Sequence, residues 1–199
     1  MKRSVIAIAA IALTASAAEA QTTAGVARPV SFGISAGASI PTGDLSKEGP
    51  NGEKFGTGFN VAGLIGYSAP AMPVGFRGEV MYHRFGGDNF PAGVDGNVST
   101  LGVVANAVYN FPTGSTSGVA PYLIGGLGVY NVKTTIEISG QSDDQSKTAA
   151  GLNGGIGVKI PLSGFQTFVE ARFHHVFSKD DDKGTYAAQF IPLSFGIMF

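Results

Sequence analysis

The sequence predicts an all-β fold, an eight-stranded antiparallel transmembrane β-barrel with short connections at one end and longer loops at the other. Three observations carry that expectation. Eight segments alternate apolar with small or polar residues, the connections between them alternate short with long, and Arg77, Glu79 and His83 of the third strand share one of its faces. In a barrel of this kind only every second residue meets lipid, so the chain needs no long apolar run.

Before the strands, Lys2 and Arg3 precede the apolar stretch Val5 to Leu13, and small residues lead to Ala18-Glu19-Ala20. This is the pattern of a cleaved signal peptide over 1–20, with an apolar run too short to span a bilayer. The mature chain is then one barrel domain, 21–199. Nothing after Gln21 reaches the roughly 18 consecutive apolar residues that a membrane helix requires.

In the first strand Phe32, Ile34, Ala36, Ala38 and Ile40 alternate with Ser31, Gly33, Ser35, Gly37 and Ser39. The second runs from Phe59 to Ser68, with Phe59, Val61, Ile65 and Tyr67 on one side. The third, Val74 to Phe85, sets Val74, Phe76, Val80 and Tyr82 against Arg77, Glu79 and His83, and the charged face cannot be the lipid face. The fourth, about Val98 to Phe111, puts Leu101, Val103, Ala105, Ala107, Tyr109 and Phe111 outward, with Thr100, Asn106 and Asn110 inward. Tyr122 to about Lys133, Ala149 to Ile160, Phe165 to Phe177 and Phe190 to Phe199 complete the set. The even count suits a bacterial single-chain barrel.

The connections Ala69 to Pro73, Thr113 to Ala120 and Pro161 to Gly164 are short and rich in Pro, Gly or Ser, as tight turns should be. Pro41 to Gly58, Gly86 to Asn97, Thr134 to Thr148 and Ser178 to Gln189 are longer and more polar. That asymmetry assigns the short side, and both termini, to the periplasm. A soluble barrel or sandwich with the Phe and Tyr faces packed inside is the alternative. The low charge of the strands, the loop asymmetry and the aromatic end of the chain weigh against it.

Composition narrows the function. There is no Cys, which removes disulfides, thiol nucleophiles and thiolate metal sites; a net charge of -1 offers no basic surface for nucleic acid. Charged residues are 14% and hydrophobic residues 44%, which argues against disorder. The four long loops hold eleven acidic residues against five lysines, a net -6, so the outer rim is acidic. The strands keep Arg77, Arg84, Lys133, Lys159 and Arg172 against only Glu79 and Glu170.

The third and seventh strands of an eight-stranded ring lie on opposite walls, and Glu79 and Glu170 are each the sixth residue of their own strand. Such a barrel has an interior just wide enough for side chains to fill. Arg77, Glu79, Glu170 and Arg172 are therefore expected to form a luminal salt-bridge network crossing the barrel, with His174 joining it. Unpaired, such charges would cost several kcal/mol per ion. A gated ion path is the functional alternative to this structural plug. Inward Gly33, Gly37, Gly66, Gly75 and Gly102 mean either a thinly filled lumen or room for the long Arg side chains.

The segment Pro121-Tyr122-Leu123-Ile124-Gly125-Gly126-Leu127-Gly128-Val129-Tyr130, the strand end Val108-Tyr109-Asn110-Phe111 and Phe168-Val169-Glu170-Ala171-Arg172-Phe173 resemble the family of small outer-membrane β-barrel domain proteins. The resemblance covers essentially the whole mature chain. It implies an OmpX- or OmpW-like, porin-like barrel of the Gram-negative envelope, and specifies architecture rather than activity. Phe195, Ile197 and the last residue Phe199 alternate like the C-terminal signal that the barrel assembly machinery reads.

Eight-stranded barrels include enzymes that modify lipid A, which makes His174 and His175 the tempting catalytic residues. Alternation turns His174 inward and His175 to lipid. The lipid A deacylase family places a Ser two positions after its His, so that base and nucleophile share a face. Here Val176 and Phe177 hold those places, and Ser178 lies on the wrong face for His175. Arg84 alternates outward at the loop end of its strand, where its guanidinium could meet lipopolysaccharide phosphates or simply be solvated. The Asp180 to Asp182 run lacks the spaced ligands and Gly of a calcium loop. With no Trp, the interfacial girdle falls to Phe32, Phe59, Tyr67, Phe76, Tyr82, Tyr109 and Tyr122.

The reading is a non-enzymatic outer-membrane protein, monomeric and without cofactor or metal, that contributes to envelope structure and surface interaction. Its expected partners are outer-membrane lipid, lipopolysaccharide and the assembly machinery, with no nucleic acid. A narrow channel for small or hydrophobic solutes and, behind it, a lipid A-modifying enzyme are the alternatives.

Overall fold

The computed structural model describes residues 29–48, 54–69, 72–88, 90–91, 93–112, 118–138, 141–180 and 184–199, with the side chains of 178–187 left aside. The segment 1–20, expected as a signal peptide, lies outside the described residues. Eight long strands form the wall: β1 (Val30–Gly43), β2 (Gly58–Tyr67), β3 (Val74–Asp88), β4 (Val94–Asn110), β5 (Ala120–Ile138), β6 (Gln141–Leu162), β7 (Phe165–Asp180) and β8 (Gly184–Met198). A two-residue strand, Lys54–Phe55, pairs with the loop end of β3, and Asp44–Ser46 form one 3-10 turn.

Every strand pairs antiparallel with its neighbours in sequence, and β1 closes on β8 from Gly33↔Met198 to Gly43↔Ala188. Closure leaves the lipid-spanning part of the wall without a free edge, so its backbone donors and acceptors are satisfied where lipid offers no partner. No helix among the described residues is long and apolar enough to cross a membrane, which says nothing against strands that do.

Strand alternation puts apolar side chains outside. Phe32, Ile34, Val61, Ile65, Phe76, Val80, Leu101, Val103, Leu127, Val129, Ile156, Val169 and Phe195 are all exposed on the outer face. The polar residues turned inward are instead buried: Ser35, Ser39, Asn60, Thr100, Asn106 and Ser194 among them. This is the inverse of a soluble core and the arrangement a lipid solvent selects.

The glycines on the inner face do not leave it empty. Side chains of Met198, Met81 and Tyr130 occupy the space beside Gly33, Gly66 and Gly102, and the rings of Tyr122 and Phe168 lie against Gly157 and Gly196. A Cβ at Gly157 would come within 2.3 Å of Tyr122 Cζ, so the ring needs the bare backbone there.

The connection expected at Pro161 to Gly164 is a turn through Ser163 and Gly164, whose φ of 87° favours glycine, while parts of the other two short connections lie outside the described residues. Three segments expected as loops depart from that reading. β3 and β4 continue to Asp88 and from Val94, β5 and β6 to Ile138 and from Gln141, and β7 and β8 to Asp180 and from Gly184. Pairing simply carries on above the lipid, where both faces are wet and polar residues on either side cost nothing. On its other side, among the described residues, β6 meets β7 only from Gly151↔Val176 downward. Its upper part, residues 141–150, therefore projects as an edge strand.

Candidate functional site

At the middle of β3, alternation points Arg77 and Glu79 into the lumen; on β7, directly across, it does the same for Glu170 and Arg172. The structure brings the four together. Arg77 Nε donates to Glu79 Oε1 at 2.6 Å and its Nη2 reaches Glu170 Oε2 across the lumen at 2.5 Å. Arg172 donates through Nη1 and Nη2 to the two oxygens of Glu79, at 3.1 and 2.6 Å, and its Nε lies 2.7 Å from Glu170 Oε1. Each guanidinium thus holds both carboxylates, and the Arg172–Glu79 pair has the parallel fork that gives such contacts strength and direction.

Neighbours complete the ring of charge. Asn106 donates to Glu79 Oε1 at 3.2 Å and the Tyr122 hydroxyl to Glu170 Oε2 at 2.6 Å, while the Phe168 ring centre lies 5.3 Å from the Arg77 guanidinium carbon. All four charged side chains are at most 5% exposed. At that burial, pairing with full hydrogen bonding is what makes the charges tolerable.

His174 is fully buried and inward, but it makes a separate level. Its Nδ1 lies 3.0 Å from the Tyr130 hydroxyl, its ring stacks on Phe190 at 5.0 Å, and its centre is 5.8 Å from that of His83. Its expected place beside the salt bridges is taken by Tyr122 and Asn106, which reach the two carboxylates from β5 and β4. His83 Nδ1 in turn meets Ser39 Oγ at 2.9 Å, while Nε2 of both rings and Thr100 Oγ1 have no partner among the described residues.

His175 faces outward between Phe173 and Phe177, with Gln189 Nε2 2.9 Å from its Nδ1. The positions two residues on from the histidines are Val176, buried, and Phe177, exposed on the lipid face. Among the described residues no three His, Asp or Glu side chains gather as a metal ion would require. Asp181 and Asp182 of the acidic run lie outside the described residues.

Arg84 is exposed on the outer face, and register places it in one row with Phe59 on β2, Ser99 on β4 and Lys133 on β5. Lys133 pairs with Asp144 at 2.8 Å, and its hydrogen bond, followed by that of Thr135, holds the Asp144 carboxyl below the usual range. Six residues of the expected girdle face outward; Tyr122 does not. It is 1% exposed, in the lumen, because its hydroxyl has a carboxylate to bond there. Phe195, Ile197 and Phe199 point outward, and Phe199 exchanges both backbone hydrogen bonds with Phe32.

The family model for the outer membrane protein beta-barrel domain matches residues 5–199, and the chain belongs to that family. Neisserial surface protein A is similar in fold, with a TM-score of 0.60 at 20% identity, over 86% of this chain and 96% of that one. A major outer membrane protein from Thermus thermophilus gives 0.57 at 14% identity, covering 86% and 99%. No curated protein matches by sequence.

Proposed function

Proceeding from this bacterial outer-membrane family, we propose that the protein is a non-enzymatic envelope barrel whose lumen is closed by its charged ring and whose projecting strands meet the exterior. The observation that carries the closed lumen is the mutual saturation of Arg77, Glu79, Glu170 and Arg172, each at most 5% exposed and each bonded across the barrel. Moving an ion past them requires breaking several charge-assisted bonds at once in a low-dielectric interior.

The outer surface suits lipid contact. Arg84 meets lipopolysaccharide phosphate at the headgroup level, and Phe195, Ile197 and Phe199 present the outward stripe read by the assembly machinery. The barrel works as a monomer. Against an esterase reading stands the lack of a hydroxyl nucleophile two residues from either His174 or His175, at Val176 and Phe177.

The test is single-channel recording on refolded protein in a planar bilayer, after a gel-mobility difference between unheated and boiled samples has verified folding. No steady conductance is expected. Sustained anion-selective current would replace the plug with a transport path and favour the narrow-channel reading. Unchanged acyl chains in lipid A from expressing cells are expected by mass spectrometry, and a lost chain would restore the enzyme.

A further inference from the structure

The lowest level of the lumen, at the short-turn end, contains a cavity of about 50 Å³ lined by Ser31, Ser68, Arg77, Lys159, Gln166 and Met198, among others. Alternation assembles its polar groups. Lys159 follows the buried Gly157 by two on β6, Gln166 precedes the buried Phe168 by two on β7, and Ser31 precedes inward Gly33 on β1. The two hydroxyls lie against glycines: a Cβ at Gly66 would fall 2.6 Å from Ser31 Oγ, and one at Gly75 would fall 2.6 Å from Ser68 Oγ.

Charge distinguishes this level from the ring above it. Arg77 and Arg172 balance Glu79 and Glu170, whereas Lys159 belongs to none of the ion pairs among the described residues. Its ammonium donates to Asn110 Oδ1 at 2.7 Å and sits 5.0 Å from the Tyr122 ring centre, leaving donor capacity unused. Among the described residues, Gln166 Nε2 has only the Met198 sulfur as acceptor, at 3.9 Å. A partly buried cation with no carboxylate in direct contact among the described residues is poorly compensated, and a mobile anion relieves it. The cavity exceeds the roughly 10–15 Å³ that one water needs, so it admits a small multi-atom group.

We propose that this cup binds the oxygens of a small oxyanion, a carboxylate or a phosphate, from the periplasmic side. Lys159 supplies the charge, and Ser31, Ser68 and Gln166 donate hydrogen bonds. Arg77 forms the ceiling and keeps its own carboxylates. This goes beyond the closed-lumen reading and does not depend on it, since the cup lies below the ring.

The test is an NMR titration of the full mature chain in detergent micelles, at constant ionic strength, following the amides of Ser31, Ser68 and Gln166. Acetate and inorganic phosphate are the probes, in separate arms. Saturable shifts are expected with at least one, weakened at least tenfold in Lys159→Gln and retained in Lys159→Arg. Saturation by acetate alone assigns a carboxylate ligand, and by phosphate alone a phosphate. Shifts that never saturate, or that persist equally in Lys159→Gln, overturn the site. Should Lys159→Gln fail the gel-mobility check for folding, Ser68→Ala and Gln166→Leu take its place, with weaker binding expected and unchanged binding overturning the proposal.

Discussion

Arg172 shows what the ring does for stability at the scale of one residue. It holds both Glu79 oxygens and one Glu170 oxygen, so Arg172→Met leaves two buried carboxylates sharing Arg77 alone. Losing one partner from a buried pair costs about 3–5 kcal/mol, and that drop is expected in urea unfolding of the refolded protein. The double variant Glu79→Gln/Arg172→Gln, which removes opposite charges together, should lose less than the two single changes summed, as a double-mutant cycle will measure. An additive result would mean that the two side chains do not support each other. The four ring residues were legible in the sequence because charge at lipid depth on a barrel strand has only the inner face to occupy and because opposite strands match in depth. Tyr122 was not, since an aromatic ring reads equally well as girdle or filling; only the Glu170 oxygen 2.6 Å from its hydroxyl decides. Gly157→Val tests that assignment, since a side chain there displaces the ring from Glu170. The variant is expected to unfold at lower urea than wild type, and equal midpoints would place the ring elsewhere.

Strands were easy to find in the sequence only where lipid enforces alternation. Within the bilayer one face must be apolar, so the period of two stands out. Above it, the pairs Thr135↔Asp144 and Lys133↔Ser146 are polar throughout, and the same ladder reads as loop. Pairing there is held by backbone bonds and by contacts such as Lys133–Asp144 and Asn131–Thr148, 2.8 and 2.9 Å long. Among the described residues, the upper part of β6 has β5 on one side and nothing from β7 above Gly151 on the other. Along residues 141–150 every second amide is therefore directed away from its ladder, and those amides are expected to exchange with solvent far faster than their alternates. Uniform protection along the segment, measured by hydrogen exchange, would mean that another strand covers the edge. Such an edge invites an added strand, which suits an element that meets the exterior.

For the whole molecule, the inside-out distribution of polarity sets the depth at which the wall sits, and that can be measured. Along β5 the outward residues run from Leu123 and Gly125 through Leu127 and Val129 to Asn131 and Lys133, which places Leu127, 65% exposed, near the centre of the apolar band. An Arg at the midplane of a lipid-facing strand costs about 2–4 kcal/mol, falling to about 0–1 near the interfaces. Leu127→Arg should therefore destabilise the barrel in lipid vesicles by the larger amount, and Thr135→Arg, above the band on the same face, by little or nothing. In a soluble barrel packed on its buried face, an Arg at exposed Leu127 would be nearly free, because water already bathes the site. The ratio of the two costs thus separates the architectures without reference to any ligand. Equal and small losses would place the outer face in water, despite its run of exposed Phe, Ile, Leu and Val; a large loss at Leu127 alone fixes the band, with the Arg84 row at its upper margin and the Lys159 cup at its lower.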